Sequence, residues 1–310
     1  MALSDKTKKW LSKNCSASFK GKTVLITGAT SGVGLKSAEL MIYLKARLIM
    51  ACRNLEKAQA VKRDLLKEYP QAEIGIMRLD LADFKSIDEF AENIKKNQTD
   101  IDVFLNNAGV FRKQGEYTAD GFDMVLGTNY LGVYYLSKRV LPYLEALPHE
   151  VLYVNTVSII NKIASENYKD FLTGKRHNSI SVYGCSKLCL SKYTYSLAQH
   201  YKGSNIRVIM NHPGISLTPL GVNAFGAAVK RLSGVFGWVF NSPEKSALSL
   251  PFIMSNDIPS GSIVGPNKVF GGWGYPKQNN VGKRIKTGAE ELILFTDEQI
   301  KLRGDFLERR

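Results

Sequence analysis

No stretch of the 310-residue chain approaches the roughly 18 consecutive apolar residues of a membrane-spanning helix, which argues against an integral helical membrane protein. The N-terminal MALSDKTKKWLSKNC carries lysines but no apolar core, so a secretory signal is not expected. Only four cysteines occur, Cys15, Cys52, Cys185 and Cys189, too few for a disulfide framework, and a reducing, cytoplasmic setting is the expectation. No Pro/Ser-rich linker or internal repeat divides the chain. Residues 171–243 contain no acid at all.

What is present is a foldable, basic chain. With 44% hydrophobic and 23% charged residues it can bury a sizeable core and is not disordered. Its net charge of +14 is uneven: residues 1–22 hold six lysines against Asp5, and Lys175, Arg176, Lys187, Lys192, Lys202, Arg207, Lys230 and Arg231 fill the acid-free stretch. Nucleic acid, an anionic membrane surface and a phosphorylated small ligand would each suit such a field. No helix-turn-helix, zinc-ligand spacing or aromatic RNA-binding strand supports nucleic acid. His149, His177, His200 and His212 lack cysteine partners, Cys185 and Cys189 read as packing residues, and no metal site is expected.

Short apolar runs at Thr23–Thr27, Arg47–Ala51, Glu73–Leu79, Ile101–Asn106, Val151–Asn155 and Ile206–Asn211 read as strands buried on both faces. Helical patterns such as Asn54–Lys67 and Ser86–Lys95 lie between them, and this alternation predicts an α/β fold, a single doubly wound domain with a central parallel β-sheet flanked by helices. A last strand is expected over Pro266–Phe270, an exposed loop over 271–289, and a final helix opened by a capping box at Thr296–Gln299. The expected organisation is a basic extension over 1–20, the main domain over 21–275, and a C-terminal loop and helix over 276–310 packed on it.

The first strand runs into Gly28, Thr30, Ser31, Gly32, Val33 and Gly34, a glycine-rich turn opening a helix. Such a turn lets backbone approach a pyrophosphate, with free N–H groups and a positive dipole end to receive it, as in Rossmann-type domains. The spacing is G-x-x-x-G-x-G. The second strand ends without the acid that would bind the ribose 2′-hydroxyl of NAD; Arg53 follows instead and suits a 2′-phosphate, so NADP(H) is expected over NAD(H). Tyr183 and Lys187, four apart on a helix, share one face. A nearby ammonium and the nicotinamide's positive charge should lower the phenol's pKa and allow Tyr183 to exchange a proton with an alcohol or carbonyl.

The glycine turn, the Asn106-Asn107-Ala108-Gly109 stretch after the fourth strand and the Tyr183/Lys187 pair together resemble the short-chain dehydrogenase/reductase family over about residues 20–270. The resemblance implies Tyr183 as acid/base, Lys187 as its modulator and nicotinamide-ribose ligand, Ser158 as the group positioning the substrate oxygen, and Asn129 as support for a water-mediated relay. It implies further cofactor contacts from Asp80, Leu81, Asn107, Ala108 and Gly109, and from Pro213, Gly214, Ile215 and Thr218 at the carboxamide. Met50–Arg53, Leu79–Ala82 and the long interval between Ser158 and Tyr183 resemble the retinol-dehydrogenase-like branch. That branch interconverts lipophilic carbonyls and alcohols, usually with NADP(H). It also implies dimers or tetramers formed through helices.

Residues 219–242 correspond to the family's substrate lid, where Phe225, Val229, Leu232, Phe236, Trp238 and Phe240 could line an apolar pocket, or equally pack on the core. Lys230, Arg231 and Trp238, with the Trp10-containing N-terminus, would suit an anionic membrane; a frayed, solvated N-terminal tail is the plainer expectation. Other outcomes of the same motifs are C=C reduction or epimerisation, or a non-enzymatic NADP-sensing module, although the last has no need of Tyr183 and Lys187.

Overall fold

The computed structural model describes residues 3–15, 19–112, 115–175, 178–215, 241–268 and 271–308. Eight strands form one sheet in the order β3-β2-β1-β4-β5-β6-β7-β8: β1 Thr23–Thr27, β2 Arg47–Cys52, β3 Ile74–Arg78, β4 Val103–Asn106, β5 Val151–Thr156, β6 Ile206–Asn211, β7 Ile263–Pro266 and β8 Pro276–Asn279. All pairings are parallel except β7 with β8. The strand order reverses between β1 and β4, and in open parallel sheets ligands bind at the carboxyl ends beside such a switch.

Helices α1 Asp5–Asn14, α2 Gly32–Tyr43, α3 Leu55–Glu68, α4 Phe84–Lys96, α5 Gly132–Glu145, α6 Ser179–His200 and α7 Ala289–Glu308 surround the sheet. Two apolar layers result. One packs Phe90, Phe104, Tyr130, Tyr134 and Tyr153 beneath α4, α5 and α6. The other packs Val24, Ile26, Leu40, Leu48 and Leu250 on the opposite face. Central strands β1, β4 and β5 are buried along their whole length, which is why their sequences are apolar without alternation.

Four sequence expectations are corrected. The N-terminus is not a frayed tail: Leu3 just before α1 and Leu11 within it are buried, Trp10 stacks on Tyr275 at 5.5 Å, and Ser4 Oγ donates to Glu244 at 2.6 Å. Trp10 is therefore occupied within the fold. The last strands fall at Ile263–Pro266 and Pro276–Asn279, not at 266–270; Phe270 itself lies outside the described residues. The 271–289 segment holds β8 and a short helix that buries Ile285. Thr296 does not open the final helix, which begins at Ala289; its buried hydroxyl donates to Leu292 O and bonds the Tyr130 hydroxyl.

Three bases of the acid-free stretch meet acids from outside it: Lys175 pairs with Asp170, Lys192 with Glu166 and Arg207 with Glu150, at 2.5–3.0 Å. The linear charge run therefore overstates the field at these three positions. Among the described residues no helix is long and apolar enough to cross a membrane.

Candidate active site

The glycine turn sits at the carboxyl end of β1. Gly28 (φ 68°) and Gly32 (φ 57°) occupy the left-handed region, where a side chain would be strained. A Cβ on Gly28 would lie 2.9 Å from Ala108 Cα, and one on Gly34 would collide with Asn107 and Gly28. The turn is thus locked against the end of β4. Asn107 Nδ2 donates to Thr27 O at 3.1 Å, and Thr27 Oγ1 accepts from the Asn107 and Ala108 amides at 3.0 Å each. Ser31 precedes α2 without a side-chain cap, so the first-turn N–H groups are left to other partners. A dinucleotide pyrophosphate fits this cradle on geometry and dipole sign.

Arg53 directly follows β2, with its side chain 59% exposed and Nε 3.9 Å from Asp80 Oδ2. Asp80 Oδ1 accepts the Ala82 amide at 3.0 Å, which fixes the carboxylate at the end of β3. The Leu81 side chain points into the core, and the space beside its carbonyl is filled by Gly132, where a Cβ could not fit.

Ser158 follows β5 and Tyr183 lies in the second turn of α6, with the Ser158 hydroxyl acting on the phenol to favour its ionised form. Phe111 packs edge-on against the Tyr183 ring at 5.7 Å. One turn on, Lys187 is 4% exposed and its Nζ donates to Thr156 O at 2.8 Å. Burial pushes the Lys187 ammonium down to about 8. In the protein's own field, without the nicotinamide's charge, burial pushes Tyr183 up to about 12, against the opposing influence of the Ser158 hydroxyl. The Lys187 ammonium is directed at a backbone carbonyl.

Asn129 lies on a π-helical turn, Gly127–Leu131, a distortion frequent at functional sites. Its Oδ1 accepts the Val110 amide at 2.7 Å, and its Nδ2 donates to Val110 O at 2.9 Å and Ser186 Oγ at 3.3 Å. The side chain therefore clamps the loop after β4. A Cβ on Gly109 would lie 3.2 Å from Asn129 Oδ1 and 3.7 Å from Lys187 Nζ, so all three meet at one point.

Pro213, Gly214 and Ile215 follow β6. Gly214 has φ 82°, Ile215 N donates to Gly272 O at 2.7 Å, and Asn241 closes the turn from the other side. Thr218 and the lid residues Phe225, Val229, Lys230, Arg231, Leu232, Phe236, Trp238 and Phe240 lie outside the described residues. A cavity of about 390 Å3 opens beside Ser158, between the Ser158–Lys162 segment and the β7–β8 end of the sheet.

The structure therefore brings the glycine turn, Arg53, Asp80, Asn107–Gly109, Ser158 and Pro213–Ile215 to one edge of the sheet, with Tyr183 and Lys187 facing it from α6. Sequence reasoning passed over Thr27, Phe111, Thr156, Ser186 and His212. Thr27 had a readable signal, being the last strand residue before the first turn glycine. His212 was weighed only as a metal ligand; its Nδ1 accepts the Gly214 amide at 3.4 Å and its Nε2 donates to Gly271 O at 2.9 Å. Burial pushes its imidazole down to about 4, so it is neutral. Among the described residues no cluster of three His, Cys, Asp or Glu could hold a metal ion.

A parallel sheet with a glycine turn at its switch point and a Ser–Tyr–Lys cluster on the same edge defines a nicotinamide-dependent oxidoreductase fold. The chain belongs to the short-chain dehydrogenase/reductase family: residues 22–227 match the family model described as short chain dehydrogenase. Human retinol dehydrogenase 13 is 32% identical over 237 residues, covering 74% of this chain and 71% of that protein. Human retinol dehydrogenase 14 is 33% identical over 252 residues, covering 76% and 74%. These place the chain in the retinol-dehydrogenase-like branch. A crystal structure of an uncharacterised protein from Mycobacterium paratuberculosis superposes with a TM-score of 0.73 at 28% identity, covering 92% of this chain and 95% of that one.

Proposed function

We propose that the protein is an NADP(H)-dependent oxidoreductase that interconverts a lipophilic carbonyl and its alcohol. The observation that carries this reading is the meeting of Ser158, Tyr183 and the buried Lys187, with the Ser158 hydroxyl near enough to act on the Tyr183 phenol. A substrate oxygen set between the two hydroxyls would be within reach of both. When bound, the nicotinamide supplies the hydride chemistry, giving a hydride to the carbonyl carbon or taking one from the alcohol carbon.

Ser158 donates to the substrate oxygen and fixes its direction. The Tyr183 phenol, protonated at neutral pH, gives its proton to the oxygen as negative charge develops there. For alcohol oxidation, positive charge on the bound cofactor must bring the phenol's pKa down again. Lys187 holds positive charge behind the phenol and presents N–H groups to the nicotinamide ribose. Asn129, by clamping Val110, keeps the Gly109 loop over that lysine.

Arg53 supports the NADP(H) preference, since its exposed guanidinium stands at the end of β2 where an NAD-selective site would carry an acid. The lipophilic substrate class rests on the retinol dehydrogenase relatives. The four cysteines are buried and unbridged, which suits a reducing cytoplasm, and exposed Lys6, Lys9 and Lys13 on α1 would meet an anionic surface at its periphery. Paired fluorescence titrations with NADPH and NADH test the cofactor assignment. NADPH should bind tighter, and Arg53→Ala should cost about 10- to 100-fold in NADPH affinity while leaving NADH little changed. Equal binding of the two cofactors by the wild type would overturn it.

A further inference from the structure

Two buried side chains that the proposed chemistry does not use, His212 and Asn241, converge on the turn after β6. His212 enters the turn: its Nδ1 accepts the Gly214 amide at 3.4 Å and its Nε2 donates to Gly271 O at 2.9 Å. Asn241 reaches the turn from the other side. Its Nδ2 donates to Pro213 O at 3.4 Å and to Gly274 O at 3.3 Å, and its Oδ1 accepts the Gly274 amide at 3.0 Å. Its own amide donates to Ile215 O at 2.9 Å, while the Ile215 amide goes to Gly272 O at 2.7 Å. Both side chains thus tie the turn to the 271–274 segment.

That segment is a firm backing. Asn267 N donates to Tyr275 O and Lys268 N to Trp273 O, both at 2.9 Å, and Trp10 of α1 stacks on Tyr275. The turn is also tightly enclosed. A Cβ on Gly214 would lie 2.7 Å from Gly272 O and 2.8 Å from Pro266 Cγ, and one on Gly265 would lie 3.0 Å from His212 O. Among the described residues, the Gly214 carbonyl is the one backbone group of Pro213–Ile215 left without a partner: Pro213 has no N–H, and the other groups are committed as above.

Strand order says what such a turn would meet. The glycine turn ends β1, Ser158 follows β5 and Pro213 follows β6, with β4 and β5 between β1 and β6. A dinucleotide whose pyrophosphate sits at β1 would lay its nicotinamide half across β4 and β5 toward β6. His212 lines the same cavity as Ser158. A free carbonyl there is an acceptor for an amide NH2.

We propose that His212 and Asn241 are positioning residues for the cofactor: by occupying the other hydrogen-bonding groups of Pro213–Ile215 and pinning them to the 271–274 segment, they hold the Gly214 carbonyl where it receives the nicotinamide carboxamide. The inference rests on the reading of this site as a nicotinamide site. Both residues act through the backbone of the turn, and the ring so held faces Ser158 and Tyr183.

Calorimetric titrations with NADPH and with 2′-phospho-ADP-ribose, which is NADPH without its nicotinamide, test it. His212→Phe and Asn241→Leu keep side-chain bulk and remove the polar atoms. Each should weaken NADPH binding by about tenfold and leave 2′-phospho-ADP-ribose within about twofold of wild type. His212→Asn, which keeps an acceptor near the place of Nδ1, should recover most of the loss. Side chains that served only the fold would weaken both ligands together. Equal losses for the two ligands, or NADPH affinity unmoved by either substitution, overturn the inference. The same comparison with NADH and ADP-ribose is independent of the 2′-phosphate.

Aldehyde reduction by the wild type separates the two claims. Nicotinamide-selective loss of binding in the variants, with no aldehyde reduced by the wild type, would leave the positioning residues standing and sink the hydride-transfer reading. A wild type that reduces aldehydes, with variants that show no nicotinamide-selective loss, would keep that reading and overturn the inference.

Discussion

The Lys187 ammonium is buried and held by the carbonyl oxygen of Thr156 at 2.8 Å, with no carboxylate partner among the described residues. A buried cation in that position lowers stability, and the pH window follows from the shift. Below about 8 the amine is protonated in both folded and unfolded chains, and the desolvation cost is fully present. Between about 8 and 10.5 the folded chain releases the proton while the unfolded chain keeps it, so stability from this group rises with pH. Lys187→Met should therefore raise the unfolding midpoint at pH 7 by about 3–8 °C, and the gain should shrink toward pH 10.5. The same variant should lose turnover. Calorimetric melts across pH check the first outcome, and a gain independent of pH would contradict it.

The wall that carries Ser158 is braced from the C-terminal part of the chain. Arg284 donates to the carbonyls of Asn161 (3.3 Å) and Lys162 (3.1 Å), to that of Ala164, and to Glu166. Glu166 in turn accepts from the buried Lys192 of α6, the helix that holds Tyr183 and Lys187. Arg284→Ala should loosen the substrate wall, raising KM for carbonyl substrates about 3- to 10-fold with a smaller change in kcat. Arg284→Lys should recover only part, since a single ammonium cannot replace the guanidinium fork. Steady-state kinetics on the three proteins decide it.

Gly28 combines a positive φ with a Cβ position 2.9 Å from the Ala108 backbone. Gly28→Ala should push the turn away from β4, lowering NADPH affinity by tenfold or more and destabilising the fold by about 1–3 kcal/mol. Equilibrium unfolding and cofactor titration read the two effects separately.

Helix α1 covers the second apolar layer through Leu3, Leu11 and the Trp10–Tyr275 stack. Trp10→Ala should cost about 2 kcal/mol and lower the unfolding midpoint by about 4–8 °C. A melt unchanged by the substitution would return α1 to the status of a tail.

The sheet was legible because its strands are continuous apolar runs: β6 appears at Ile206–Asn211 in both sequence and structure, and β1 at Thr23–Thr27. The arrival of the expected site residues at one sheet edge follows from the parallel topology, since every expected loop leaves a strand's carboxyl end. Three failures have local causes. Thr296 mimics a cap in sequence, but its hydroxyl is turned back to Leu292 O inside a longer helix. The N-terminal helix was hidden by its lysines, although Leu3, Thr7, Trp10 and Leu11 already fall at helical spacing. The phenol's pKa depended on where Lys187 points and on how dry the ring is, which residue spacing does not encode.

The central claim is proton transfer by Tyr183, and Tyr183→Phe tests it most directly, because it removes one oxygen from a buried ring and leaves the Phe111 contact in place. NADPH oxidation with a panel of aldehydes, read alongside NADPH binding by fluorescence, should show kcat reduced by about 10²- to 10⁴-fold with cofactor affinity within a few-fold of wild type. Turnover that survives the substitution would contradict the account.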